Sequence, residues 1–181
     1  MAIIDQQREE NYQEYLRLLC DSDYNDVTFD EKSGGVSAVH ILHHFDKQTG
    51  PFGTRRGDYE IAVVSMLRNK GYRILLLPEE CKTTHLKSCD CLLNDCQAEI
   101  KTVEGDGHWA VRTKIYDSIK QGAEILILYF PQTQLFSIDR ILEGWQMNDD
   151  YIREYQPTMR PISRIIAVVG SSVMDITKPS G

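Results

Sequence analysis

The chain has 181 residues, enough for one domain with a full hydrophobic core. Its longest apolar run, around Ile125 to Phe130, has strand length rather than bilayer length, which excludes a spanning helix and a membrane partner. The net charge of −7 argues against a general nucleic-acid binder, which is usually basic.

The charge is uneven. Lys101, His108, Arg112, Lys114 and Lys120 crowd one stretch, while acid gathers in Glu9-Glu10, Asp149-Asp150 and Glu154, so a cleft can still be locally positive. Charged residues begin at Asp5, Arg8, Glu9 and Glu10, leaving no signal-peptide core, and a cytoplasmic protein is expected. Five cysteines, Cys20, Cys81, Cys89, Cys91 and Cys96, then read as reduced thiols. The spacing of Cys81, Cys89, Cys91 and Cys96 matches no common zinc knuckle, and small buried hydrophobes are the plainer reading.

Taken in chain order, a first helix is expected from about Gln6 to Leu19, with Tyr12, Tyr15, Leu16 and Leu19 at helical spacing. Asp21 to Asp26 is a turn-rich break. Val27 to Phe29 and Val36 to Leu42 read as short strands around a Ser33-Gly34-Gly35 loop. Asp46 to Gly57 is a loop whose Arg55-Arg56 pair either touches phosphates or is ordinary surface. Asp58 is placed to cap a helix that ends at Gly71. Tyr72 to Leu77, stopped by Pro78, suits a buried strand, and a loop from Glu79 to Lys87 leads into a hairpin. Glu104 to His108 holds a Gly-Asp-Gly turn. Trp109 to Gln121 reads as a helix with Val111, Ile115 and Ile119 on one face, stopped by Gly122. Glu124 to Phe130 is a second buried strand, and Gln134 to Met147 a helix. Arg164 to Val169 and Ser172 to Ile176 form a terminal hairpin around Gly170-Ser171, and the last few residues are expected to be loose. Helix, strand, strand, strand, helix, strand from Asp58 to Phe130 implies an α/β domain, a mixed sheet covered by helices.

The hairpin carries the chemistry. Asn94-Asp95 is a plausible two-residue turn, because both residue types tolerate positive φ. Leu93 then pairs with Cys96, Leu92 with Gln97 and Cys91 with Ala98, and Asp90 lands opposite Glu99. Alternation puts Asp90, Glu99 and Lys101 on one face, with Cys89 and Cys91 pointing away toward the packed side. Two facing carboxylates repel unless a divalent cation lies between them.

These residues resemble the PD-(D/E)xK, or restriction-endonuclease-like, nuclease superfamily, whose core is αβββαβ with an Asp on the second strand and Glu-x-Lys on the third. Asp90 matches the first element and Glu99-Ile100-Lys101 the second, although Cys89 stands where the family usually has proline. Glu60, with Val63, Val64 and Leu67 at helical spacing, fits the acidic residue that many members carry on the first core helix. The phrase from Gly71 to Glu79, followed by Lys87-Ser88-Cys89-Asp90, is similar to C-terminal nuclease toxin domains of contact-dependent growth inhibition systems, some of which cut tRNA. The resemblance covers roughly residues 57–130, leaving 1–56 (helix and hairpin) and 131–181 (ending in a hairpin) as extensions of a single domain, 1–181.

The resemblance implies a metal-dependent nuclease of tRNA or DNA, a toxin or mobile-element enzyme, with an immunity or inhibitor protein as a further partner. Asp90, Glu99 and the backbone carbonyl of Ile100 would hold Mg²⁺ or Mn²⁺, which hard oxygen ligands suit. Glu60 would hold a second ion or its water, and Lys101 would orient the attacking water or stabilise charge in a phosphorane-like transition state. Arg112, Lys114, Lys120 and Gln121 would meet the substrate backbone, Lys114 and Gln121 sharing one helical face. Trp109 and Tyr116 either stack on a base or belong to the core.

Plainer readings stand beside these. The hairpin cluster also reads as an exposed cross-strand charge group, the helix cations as a solvated face, and Glu60 as a complement to its helix N-terminus. His40, His43 and His44, with Asp46, form a separate constellation, either a metal site or locally hydrogen-bonded histidines. Two other functions follow: a metal-independent toxin-type RNase with His40 or His43 as general acid or base, and a non-catalytic binding or assembly protein on a degenerate nuclease scaffold.

Overall fold

The computed structural model describes residues 2–78, 89–107 and 109–178, with side chains from Gln6 onward. The expected loop from Glu79 to Lys87 with Cys81, the Ser88 step into the hairpin, His108 at the end of its turn, and the tail 179–181 lie outside the described residues.

Eight strands make one mixed sheet whose spatial order follows the chain: β1 (Tyr24–Phe29), β2 (Val36–His40), β3 (Arg73–Leu76), β4 (Cys91–Leu93), β5 (Cys96–Thr102), β6 (Ile125–Phe130), β7 (Arg164–Val169) and β8 (Ser172–Ile176). Among the described residues four helices cover it: α1 (Ala2–Leu19), α2 (Arg56–Arg68), α3 (Ala110–Lys120) and α4 (Ile138–Tyr155). Strands joined through a helix pair in parallel (β2 with β3, β5 with β6, β6 with β7), and the remaining neighbours (β1 with β2, β3 with β4, β4 with β5, β7 with β8) pair antiparallel. Alternation along the strands divides the core. Ile74, Leu76, Cys91, Leu93, Ala98 and Ile127 pack under α2. Val103, Leu126, Leu128 and Ala167 pack under α3 and α4, and Leu75 with Val36 and Ala38 packs under α1. The chain is therefore a three-layer α/β/α sandwich, with β6 buried along its whole length, as its unbroken apolar run requires.

Several boundaries differ from expectation for identifiable reasons. The buried face of α1 centres on Asn11 and Leu18, both 0% exposed, while Tyr12, Leu16 and Leu19 face outward. The Asn11 amide donates to Gly34 O at 2.9 Å and Gly71 O at 3.0 Å, and this clamp turns the helix. Asp58 does not cap α2: the helix begins two residues earlier, and the Asp58 carboxylate accepts from Arg55 at 3.0 and 3.1 Å. It still complements the helix dipole from the first turn. The helix stops at Arg68, before the left-handed Gly71 (φ 87°). A single 3₁₀ turn, Thr133–Leu135, precedes α4, and Ser137 caps the helix by accepting from Arg140 N. The helix runs on to Tyr155 because Asn148 and Ile152 are buried against α3 and the core. Gly144 permits that contact, since a Cβ there would lie 3.3 Å from the Arg112 backbone.

Candidate active site

The turn Asn94-Asp95 has positive φ at both residues, 48° and 70°, the condition for a two-residue hairpin loop whose twist matches its strands. The register follows: Leu93 opposite Cys96, Leu92 opposite Gln97, Cys91 opposite Ala98. Asn94 Oδ1 accepts from Arg73 N at 2.8 Å, and Arg73 also pairs with Asp95, so β3 holds the turn from outside.

One step beyond Cys91 the ladder opens. The Asp90 carbonyl still accepts from Leu77 N at 3.0 Å, keeping this point beside β3. Its side-chain Oδ2, rather than a strand carbonyl, takes the Ile100 N–H at 2.8 Å. A side chain inserted where a backbone contact would continue separates β4 from β5. The bend also breaks the alternation expected of the two flanking cysteines. Cys91 packs under α2, whereas Cys89 packs in the core beneath α3, with its Sγ 3.5 Å from Gln121 O. Burial pushes the Cys89 thiol up to about 11 and Cys91 well above its ordinary value. Both stay protonated at neutral pH and behave as small hydrophobes.

Asp90, Glu99 and Lys101 meet. Lys101 Nζ donates to Glu99 Oε2 and lies 3.8 Å from Asp90 Oδ2 and 3.3 Å from Gln121 Oε1. Glu99 is 0% exposed, and its second oxygen, Oε1, is buried without a hydrogen-bond partner among the described residues. Burial and then the Asp90 charge push the Glu99 carboxyl up to about 8, against the pull of Lys101. Glu99 can hydrogen-bond to Asp90 only while it carries a proton, which adds to the upward shift. Burial alone would lower the Lys101 pKa, but the two carboxylates outweigh it and the net shift is upward, so the ammonium stays charged.

A cavity of about 330 Å³ opens in front of these groups. Asp90, Ile100, Lys101 and Thr102 form its floor, Glu60 and Arg56 of α2 one wall, Lys114 of α3 another, and His43, Asp46 and Glu104 its loop-built rim. Glu60 thus reaches the same space as Asp90, from the opposite side of the sheet. His43, buried to 3% side-chain exposure, joins two of these parts: Nδ1 lies 2.7 Å from Leu77 O and Nε2 lies 3.3 Å from Glu60 Oε1. A carbonyl oxygen only accepts, so Nδ1 carries a hydrogen and Nε2 faces the carboxylate. Phe45 packs edge-on against the ring at 4.9 Å.

Other expected residues fall elsewhere. Arg112 lies 4.6 Å over the Trp109 ring, and Lys120 lies 3.9 Å from Asp117 Oδ1 and 5.1 Å from the Tyr116 ring, so neither lines this cavity. Of the helix residues, Lys114 and Gln121 turn to the site, as their seven-residue spacing requires. His40 Nδ1 accepts from Leu42 N at 3.1 Å and its ring meets Tyr24, so the three histidines do not converge. Among the described residues no group of three or more His, Cys, Asp or Glu stands close enough to hold a metal ion. Arg55 turns to Asp58, whereas Arg56 enters the cavity and is pinned by Glu104 at 3.0 Å. Asp46, Glu104 and the link from His43 to Glu60 had no counterpart in strand or helix periodicity, because they come from irregular segments. Compared with protein-family models, curated proteins and solved structures, the chain matches none.

Proposed function

We propose that the protein is a metal-dependent nuclease that hydrolyses phosphodiester bonds of tRNA or DNA. One observation carries the reading: Glu99 is fully buried, its Oε1 has no hydrogen-bond partner among the described residues, and it lies behind Asp90 and the charged Lys101, which line an open cavity. Such a group is costly to bury without a purpose. The order α2, β3, β4, β5, α3, β6, with two antiparallel pairings followed by a parallel one, supports a restriction-endonuclease-like core.

The donor set suits a hard divalent cation: Asp90, Glu99 and the Ile100 carbonyl would hold Mg²⁺ or Mn²⁺. When bound, the ion supplies a Lewis acid for a phosphoryl oxygen and lowers the pKa of water. The charge balance of the cavity points the same way. Asp46, Glu60, Asp90 and Glu104 outnumber Arg56, Lys101 and Lys114, so a bound cation would strengthen the hold on a polyanion. Lys101 then places its ammonium where negative charge develops, and Gln121 steadies that ammonium. Glu60, 3.3 Å from His43 Nε2, orients water from the far wall. Lys114 meets the substrate backbone.

The test is cleavage of plasmid DNA and total tRNA with Mg²⁺ or Mn²⁺, comparing the parent with Asp90→Ala and Lys101→Ala. Both variants keep the fold and lose cutting; a parent inert on every substrate overturns the proposal. The position of His43 in the same cavity favours one alternative, a metal-independent RNase with His43 as general acid or base. Activity that survives EDTA selects it.

A further inference from the structure

A second cavity, of about 280 Å³, lies in the groove between α3 and α4. Trp109, Arg112 and Tyr116 of the α3 segment face Asn148 and Tyr151 of α4 across it, and among the described residues no carboxylate lines it. In a chain of net charge −7 an acid-free aromatic pocket with a cation stands apart. Trp109 is 51% exposed, whereas the other tryptophan, Trp145, is 2% exposed and donates to Ile162 O at 3.2 Å. The exposed ring therefore contributes little to the core. The Arg112 guanidinium stacks 4.6 Å over it, and Tyr116 meets Tyr151 edge-on at 5.8 Å. The floor is fixed: Asn148 Nδ2 donates to Arg112 O at 3.0 Å and to Gly144 O at 2.8 Å.

Flat aromatic faces, a stacked guanidinium and the absence of negative charge match the π-face of a nucleobase with its phosphate nearby. The same helix connects this pocket to the hairpin cavity. Arg112 and Lys114 stand on opposite flanks of α3, and Lys114 lines the site of Asp90 and Lys101. An α-helix is about 10 Å across with its side chains, so one strand crossing α3 places a base in the groove and a phosphate at Lys114. Bases inside a duplex are stacked on one another and cannot enter such a groove.

Building on the nuclease reading, we infer that the groove of Trp109, Arg112, Tyr116 and Tyr151 is a base-stacking subsite, and that the substrate class is single-stranded nucleic acid or an unpaired loop.

The test uses the whole chain in EDTA, so that binding is read without metal-dependent cleavage. A short single-stranded RNA of mixed sequence, its blunt duplex and the same strand with abasic sites are titrated, following tryptophan fluorescence and the anisotropy of labelled RNA. The single strand quenches Trp109, and the duplex and abasic strands bind more weakly without quenching. Trp109→Ala weakens single-strand binding roughly tenfold, the loss of one stacked base, and Trp109→Phe restores most of it. Equal affinity for duplex and single strand, or unchanged affinity in Trp109→Ala, overturns the subsite. The two proposals fail separately. Cutting that needs Asp90 and Lys101 but ignores Trp109 sinks the subsite alone. Single-strand quenching by a chain that cuts nothing with Mg²⁺ or Mn²⁺ sinks the nuclease reading alone.

Discussion

Two hairpins of the same sheet carry charged groups and use them differently. In β7–β8, Arg164 reaches Asp175 with two donors at 2.6 and 2.8 Å, and the Tyr72 hydroxyl joins them at 3.1 and 3.2 Å. The signs are opposite, the side chains are 36% and 44% exposed, and the hydrogen bond from Arg164 holds the Asp175 carboxyl below its ordinary value. In β4–β5 two carboxyl groups share a lysine, one of them is wholly buried, and its pKa is pushed upward. The first arrangement is what a fold builds for local order. The second costs stability wherever Glu99 is ionised, and such a cost persists where another demand requires it.

The contrast breaks most sharply in activity. Asp90→Ala and Lys101→Ala each reduce cutting by roughly two to three orders of magnitude, the loss expected when a group that stabilises developing charge is removed. Asp175→Ala leaves cutting unchanged in the same gel assay. Equal losses from the two hairpins would erase the distinction drawn between them.

The next effect is in stability and pH. An acid whose folded pKa lies above its unfolded value keeps a proton in the folded chain where the unfolded chain has released it. For Glu99, stability is fully present below the ordinary value of 4.5 and falls as pH rises toward about 8. Glu99→Gln removes the charge that must be buried, so the variant unfolds at higher urea than the parent at pH 8.5. The gain is on the order of 2 kcal/mol and shrinks toward pH 5. A difference independent of pH would show that Glu99 is solvated in the folded protein.

A smaller loss is expected at His43, whose Nε2 lies 3.3 Å from Glu60 Oε1. His43→Ala removes the imidazole beside Glu60 and lowers kcat roughly tenfold with KM little changed, as loss of an orienting group does. A change confined to KM would instead place His43 in substrate binding.

The parts of this site that were legible in the sequence share a short-range cause. The Asn94-Asp95 turn sets the register of β4 and β5, and with it the meeting of Asp90, Glu99 and Lys101. Helical spacing pairs Lys114 with Gln121 and brings Glu60 to the cavity wall. What was illegible depends on neighbours that no periodicity names. The bend at Asp90 sends Cys89 and Cys91 into different cores. Asn11, polar and so easily read as surface, decides which face of α1 is buried. A helical wheel marks Arg112 and Lys120 as outward but does not reveal that α4 supplies a groove beside Arg112.

The smallest effect belongs to the satisfied hairpin. Asp175 has a folded pKa below its ordinary value of 3.8, so its contribution is present above that value and is lost as pH falls through the folded pKa. Exposure and salt screening limit the pair, and Asp175→Asn costs under about 1 kcal/mol at pH 7 in urea unfolding. The cost disappears at acid pH, where the parent carboxylate is itself neutral, and it shrinks in high salt. Its pH slope therefore runs opposite to that of Glu99: the parent gains from this carboxylate as pH rises and loses from the other. Two slopes of the same sign would mean that Lys101 holds the buried carboxylate in an ordinary ion pair, as Arg164 holds the exposed one, and the physical case for a reactive centre in the β4–β5 hairpin would fall with it.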